Sequence, residues 1–271
     1  MIKIEKNTGE SFLKILEIMS ALRDPKNGCE WDKNQDSNSL KKYCIEEAYE
    51  VVEAIENNDS DALCEELGDL LFQVIFHTEI NSEKGYFSIK DVINNLSEKL
   101  IRRHPHVFEK DSETNSIKLI EKNWTKIKQQ ERANKGNTGI LDDIPKSFPA
   151  MIRSLKLQKR ASENGFDWKN SNDTFKKIEE EKQELKIALI QKKKEEIEEE
   201  IGDLIFSVIN LSRKLKIDPE NALRKTNKKF SERINYIEKK LKKENKKFNE
   251  SNLIELEMLW NEAKRDTKQA K

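Results

Sequence analysis

An internal duplication constrains this chain more than any other feature. Residues 65–75 read EELGDLLFQVI and residues 199–209 read EEIGDLIFSVI, identical at eight of eleven positions across an offset of 134. The same offset carries Glu46 onto Glu180, Glu47 onto Glu181 and Glu50 onto Glu184, and LSEKL (96–100) onto FSERI (230–234). One gap-free shift that aligns three separated blocks marks a tandem repeat. The 271 residues therefore divide into two units, each long enough for a core of its own. Residues 134–149, NKGNTGILDDIPKSFP, hold two of the eight glycines and two of the five prolines, a concentration that breaks helices. The expected organisation is a first unit over 1–133, a linker over 134–149 and a second unit over 150–271.

Both units read as helical. Glycine and proline are scarce, and apolar residues recur at helical spacing along lysine- and glutamate-rich segments. Helices are expected near 9–22, 39–57, 61–82, 89–102 and 116–133, then near 149–163, 173–190, 194–215, 219–245 and 251–267. Asp218-Pro219 opens one of them with a capping acid and a proline at the first helical position. Ser251 is the expected cap of the last. Only the initial IKI reads as strand. The fold class is all-α, two helical bundles in tandem, which excludes a sandwich, a barrel or a disordered chain.

Charge and cysteine usage narrow the function. Lys plus Arg and Asp plus Glu each number 51, so the formal charge is zero. That balance argues against a bulk nucleic-acid binder or an acidic tail protein. Cys29, Cys44 and Cys64 show no CxxC spacing and form neither a disulfide framework nor a zinc knuckle. The N-terminus lacks the apolar core of a signal peptide, and no apolar run reaches the roughly 20 residues of a membrane span. The expectation is a soluble, cytoplasmic protein.

Chemistry concentrates in the repeated acids. Each copy has Glu-Glu-x-x-Glu followed by Glu-x-x-Asp: Glu46, Glu47, Glu50, Glu66 and Asp69, then Glu180, Glu181, Glu184, Glu200 and Asp203. Positions i, i+1 and i+4 share one helix face, and two antiparallel helices joined by a short turn would bring five carboxylates together. Like charges so close repel unless a cation sits among them. Hard oxygen ligands suit Mg²⁺ or Mn²⁺. Glu-Glu-x-x-Glu alone means little in a chain with this many acids, and runs such as KKKEEIEEE (192–200) read as solvated faces. The second helix carries more weight. Asp69 lies among Leu67, Leu70, Leu71, Phe72, Val74, Ile75 and Phe76, and Asp203 lies among the matching residues of its own copy. Such helices are expected to be buried, and an aspartate inside one needs a partner.

These motifs resemble the MazG family of all-α nucleoside triphosphate pyrophosphatases. The resemblance extends through LRDPKNGCEWDKNQ (22–35), EEAYEVVEAI (46–55), EELGDLLFQV (65–74), IRRHPHVF (101–108), NWTKIKQQE (123–131), LQKRASENGFDW (157–168) and the second EEIGDL. At 35–37 the chain reads Gln-Asp-Ser where the family usually shows Gln-Thr-His. The resemblance implies Mg²⁺-dependent hydrolysis of a nucleoside triphosphate to the monophosphate and pyrophosphate with broad base tolerance. It also implies a homodimer. Glu181 and Glu47 are the candidate bases. Lys229, Arg233 and Trp260 match positions where the family contacts the nucleotide. At the 134 offset Lys229 meets Asn95 and Arg233 meets Lys99, with Arg102 and Arg103 one turn on. The second copy is therefore expected to be the main catalytic unit.

Three rival readings remain open. Another hydrolase of the superfamily, restricted to one base like a dUTPase or dCTPase, would carry the same carboxylates. A helical scaffold for protein or RNA would use the basic run EKKLKKENKK (238–247), but aromatic interleaving is missing there, and neither nucleic acid nor membrane is an expected partner. His104-Pro105-His106 is a weak zinc signal and reads better as a loop packed on the bundle. Asp32 is expected to cap or tether the entry to the first bundle.

Overall fold

The computed structural model describes residues 7–108, 116–134, 136 and 139–269. The initial IKI and linker residues 135, 137 and 138 lie outside them. The chain forms two compact units, Met1–Ile127 and Lys128–Lys271. Secondary structure among the described residues is helical throughout.

The first unit contains α1 (Thr8–Leu22), α2 (Glu30–Lys33), α3 (Ser37–Asn57), α4 (Ser60–Glu83), α5 (Ile89–Arg103) and α6 (Pro105–Phe108). The helix α7 (Ile117–Asn134) spans the division. The second unit contains α8 (Ala150–Glu163), α9 (Ser171–Gln191), α10 (Lys194–Lys214), α11 (Pro219–Lys243) and α12 (Leu253–Gln269). The ten long helices match the expected ones to within a few residues. The two four-residue helices have no periodic pattern to announce them. His104 thus caps the end of α5 and His106 lies within the short helix that follows, rather than both lying in a loop.

Caps set where the helices start. Asp36 accepts from the backbone N–H of Ser39 at 2.8 Å, and the Ser39 hydroxyl accepts the Asp36 N–H, which closes a capping box. Asp59 starts α4 by accepting from the N–H groups of Asp61 and Ala62. Asp218 does the same for Glu220 and Asn221 ahead of Pro219. The expected Ser251 cap is corrected. Asn252 Oδ1 accepts the Glu255 N–H at 2.9 Å, while Ser251 donates backward to the Lys247 carbonyl. The amide at 252 reaches the third N–H of the helix, which is the geometry a cap needs.

The pairs that matter for the site are α3 with α4 and α9 with α10. Each turns tightly through a residue in the left-handed region, Asn58 (φ 53°) and Lys192 (φ 57°). In the first unit α1 lies on this pair, and Met19, Leu40, Ile75, Phe76 and Ile80 form a core flanked by Phe12, Tyr43 and Phe72. The second unit is more polar at the equivalent places. Thr174 replaces Leu40 and Asn210 replaces Phe76, and both are buried.

One expectation fails. The helices carrying Asp69 and Asp203 are not buried all round. Leu67, Leu71 and Val74 on α4 are exposed, as are Ile201, Ile205 and Val208 on α10, and both aspartates face solvent. Packing against α3 and α1, or against α9 and α8, covers only part of each cylinder. Among the described residues, the remaining apolar stripe is left exposed.

Arg23 secures the start of the first bundle. Its guanidinium donates to both carboxylate oxygens of Glu83, at 2.5 and 2.7 Å, and to the Asp32 carbonyl. The expected tether is therefore made by the backbone of Asp32.

Candidate metal and nucleotide site

Tight antiparallel pairing brings the repeated acids together. In the first unit Glu47, Glu66 and Asp69 each offer a carboxylate oxygen within 4.8 Å of the others. In the second unit Glu181, Glu184 and Glu200 do the same. Glu50 lies close enough to act on both Glu47 and Glu66, as Asp203 does on Glu200. Both clusters thus draw on α3 with α4 or on α9 with α10. Glu46 and Glu180 are exposed and outside the converging groups, and Glu180 instead takes Lys177 at 2.6 Å. At i and i+1 two side chains lie 100° apart, so only one of each Glu-Glu pair can face the neighbouring helix.

Burial and mutual repulsion together raise Glu47, Glu66, Glu184 and Glu200. Burial pushes the Glu47 carboxyl above its ordinary range, and Asp69, Glu50 and Glu66 add to it. Burial also raises Glu66, with Glu50 next in effect. Glu184 is raised first by its hydrogen bond to Glu181. Glu200 is raised by burial, then by Glu181 and Asp203. One Glu200 oxygen, Oε2, is buried without a hydrogen-bond partner. A crowded carboxylate set with an orphaned oxygen fits a hard divalent cation.

Lys177 was not legible as a site residue. It lies one turn before Glu181, with Nζ 2.9 Å from a Glu181 oxygen, and its ammonium is held above the usual lysine range mainly by Glu180 and Glu181. Glu181 is 5% exposed. The i, i+4 spacing from Lys177 to Glu181 was the available signal. In a chain this rich in such pairs it does not stand out.

The residues expected to meet the nucleotide are partly assembled. The Arg233 guanidinium lies 5.0 Å from the Trp260 ring centre, and Phe230 packs against the same ring at 5.4 Å. Lys229 is exposed one turn before Arg233 on α11. In the first unit Lys99 and Arg103 are half-buried and Arg102 is exposed, all in the last turns of α5. His104 Nδ1 faces the Leu100 carbonyl at 2.7 Å, and its ring packs on Trp124. Lysines of the basic run are tied to acids: Lys240 to Glu262 at 2.5 Å, Lys246 to Glu255 at 2.6 Å and Lys247 to Glu250 at 3.6 Å. The three cysteines are free thiols. No helix among the described residues is long and apolar enough to cross a membrane.

Comparison with known proteins agrees with this layout. The MazG nucleotide pyrophosphohydrolase domain matches twice, at residues 35–108 and 169–237. The chain is 47% identical to the nucleoside triphosphate pyrophosphohydrolase/pyrophosphatase MazG of Thermotoga maritima, over 96% of this chain and 98% of that protein. It is 42% identical to the nucleoside triphosphate pyrophosphohydrolase of Escherichia coli (strain K12), over 93% of this chain and 96% of that protein. It is 43% identical to YabN of Bacillus subtilis, an uncharacterised protein, over 97% of this chain and 53% of that protein. The two domain matches fall on the segments that build the two carboxylate clusters, and the chain belongs to the MazG nucleotide pyrophosphohydrolase family.

Proposed function

We propose that this protein hydrolyses nucleoside triphosphates to the monophosphate and pyrophosphate, with Mg²⁺ or Mn²⁺ held by the carboxylate clusters. The observation that carries this reading is the convergence of Glu181, Glu184 and Glu200, with a buried Glu200 oxygen that has no protein partner. The names of the full-length relatives support the reaction class. Broad base tolerance and action in the cytoplasm belong to the same proposal.

Glu181, Glu184, Glu200 and Asp203 would hold the cation in the second unit, and Glu47, Glu50, Glu66 and Asp69 in the first. A divalent cation there supplies positive charge to the phosphate oxygens as negative charge builds on the leaving pyrophosphate. Glu181 orients the attacking water and takes its proton, with Glu47 in that role in the first unit. The α–β phosphoanhydride bond breaks, and water supplies the oxygen and the protons of the products. Lys229 and Arg233 contact the triphosphate. Trp260 contributes through the Arg233 guanidinium that it carries, while Lys99, Arg102 and Arg103 are the weaker counterparts on α5.

The second unit is the main catalyst. Its Lys177, Lys229 and Arg233 correspond to Tyr43, Asn95 and Lys99 in the first unit, so two cationic positions are lost there. A homodimer completes the fold by covering the exposed stripes on α4 and α10.

The test is product chromatography on a panel of ribo- and deoxynucleoside triphosphates, with Mg²⁺ or EDTA. Monophosphate plus pyrophosphate, lost in EDTA and in Glu181→Gln, is expected. Loss in Glu47→Gln alone would move the reaction to the first unit. Diphosphate plus phosphate would overturn the reaction itself.

A further inference from the structure

The helix α12 is fixed to α11 at two places that lie far apart around its axis. Ile237 and Leu241 of α11 and Ala263 of α12 are buried where the two helices pack. Trp260 and Glu262 are two residues apart on α12, so their side chains diverge by about 160°, with Ala263 between them. Both nevertheless reach α11. Either contact alone would leave α12 able to roll, whereas the two together set its rotation.

The first contact is aromatic. Trp260 takes the Arg233 guanidinium at 5.0 Å and Phe230 at 5.4 Å. Arg233 Nε is buried without a hydrogen-bond partner. The ring under the guanidinium, rather than a bond from Nε, therefore sets its plane. The second contact is polar. Glu262 Oε1 accepts from the Tyr236 hydroxyl at 2.7 Å and from Lys240 Nζ at 2.5 Å. Lys240 Nζ also lies 5.2 Å from the Tyr236 ring centre. Asp266, one turn after Glu262, acts on the same hydroxyl. One oxygen of α12 is thus held by two groups that stand one turn apart on α11.

Exposure separates placement from stability. The Lys240 and Glu262 side chains are 38% and 44% exposed. An ion pair this open to water adds little to the folding free energy. Its effect is on the roll of α12. A rotation of about 20° moves a group roughly 6 Å from the axis by about 2 Å. A shift of that size takes the Trp260 ring out from under Arg233, and a donor displaced so far no longer reaches a phosphate oxygen. Lys229, Arg233, Tyr236 and Lys240 recur at spacings of four, three and four, so the anchor and the proposed phosphate contacts share one stripe of α11.

From this we infer that Glu262 is a positioning residue for the hydrolysis. Anchored by Tyr236 and Lys240, it fixes the rotation of α12 so that Trp260 stays under Arg233. The inference rests on the triphosphate reading above, in which Arg233 contacts the substrate.

The first unit does not carry the same pair. The 134 offset sets Arg102 against Tyr236, and alignment of Trp124 with Trp260 sets Lys126 against Glu262. Both side chains only donate, so they cannot bond to each other. Trp124 lies instead against the His104 ring at 6.3 Å. The anchor belongs to the second copy, in keeping with its proposed place as the main catalyst.

The test is a double-mutant cycle between Glu262→Ala and Trp260→Ala in the full chain. Hydrolysis of a nucleoside triphosphate with Mg²⁺ gives KM and kcat, and calorimetric titration with Mn²⁺ reports whether the carboxylates of α9 and α10 are intact. Glu262→Ala is expected to raise KM at least about five-fold, with kcat within about two-fold and Mn²⁺ affinity unchanged. In the Trp260→Ala background the same change should move KM by less than about two-fold, because the ring it positions is gone. Tyr236→Phe, which removes one hydroxyl and keeps the packing, should raise KM in the same direction with the same coupling. An unchanged KM in Glu262→Ala overturns the inference, as do equal losses in both backgrounds or a parallel fall in Mn²⁺ affinity. Should Glu262→Ala lose helical circular dichroism, Tyr236→Phe decides, and an unchanged KM there overturns it. Failure of the triphosphate reading is seen separately, as wild-type protein that yields no pyrophosphate.

Discussion

Lys177 and Glu181 form an ion pair of 2.9 Å across one turn of α9, and the carboxylate is almost wholly enclosed. The lysine offsets a negative charge that Glu184 and Glu200 oppose. Replacing it by methionine leaves that charge uncompensated. A fully enclosed pair broken on one side loses about 3–5 kcal/mol, and partial solvation of Lys177 reduces this to about 1–2 kcal/mol. The melting temperature of Lys177→Met in EDTA should fall by several degrees, and Mg²⁺ should restore most of it. An unchanged melting temperature in EDTA would refute the compensating role.

Repulsion within the cluster has a defined pH dependence. Burial and the neighbours Glu181 and Asp203 raise the Glu200 carboxyl, so the folded state binds its proton more tightly than the unfolded state. Stability from this group therefore declines as pH rises from the ordinary carboxylate range through the raised value. Glu200→Gln should melt higher than wild type in EDTA at pH 7. The difference should vanish once pH falls below the ordinary glutamate range. Mg²⁺ should reverse the order at neutral pH, because the variant loses a ligand. Melting curves against pH with and without Mg²⁺ measure all three.

Asp143 behaves in the opposite sense. Its hydrogen bond to Arg160 at 2.5 Å holds the carboxyl below its ordinary range, with burial opposing and Arg132 contributing more weakly. This stabilisation is present above the unfolded carboxyl's range and is lost as pH falls through the lowered value. Asp143→Asn should cost about 1 kcal/mol at pH 7. At strongly acidic pH it should cost nothing, as chemical denaturation at the two pH values would show.

Phe76 is the enclosed centre of the first core. Truncation to alanine removes a whole ring and leaves a cavity, for a loss of about 3–5 kcal/mol. Urea unfolding followed by a probe in the first unit should show the shift. A change below about 1 kcal/mol would mean that the surrounding helices collapse into the space.

The exposed stripes give the dimer proposal its own test. Ile201, Ile205 and Val208 repeat at helical spacing on α10, in register with Leu67, Leu71 and Val74 on α4. Ile205→Lys should shift sedimentation from dimer toward monomer with helical circular dichroism retained. A wild-type monomer at micromolar concentration would refute the dimer.

Much of this was already present in the order of residues. The duplication, the ten long helices and the acids that face each other follow from spacing alone, because helical geometry turns i, i+3 and i+4 into a shared face. The helix start at Asp218 follows from a side-chain oxygen placed just before a proline. Spacing could not tell which side of α4 or α10 is covered. Apolar residues around the whole circumference read as burial, whereas packing against α3 and α1, or against α9 and α8, left Leu67 and Ile205 in solvent. Nor could it choose between members of a Glu-Glu pair, which depends on the rotation of one helix about its axis. Lys177 and Glu262 gained their meaning only in three dimensions. Glu262 stands 22 residues from Lys240 and 26 from Tyr236, and it meets them only after α12 packs on α11. A bond across that length of chain depends on how one helix rolls against another, which spacing along either helix does not encode.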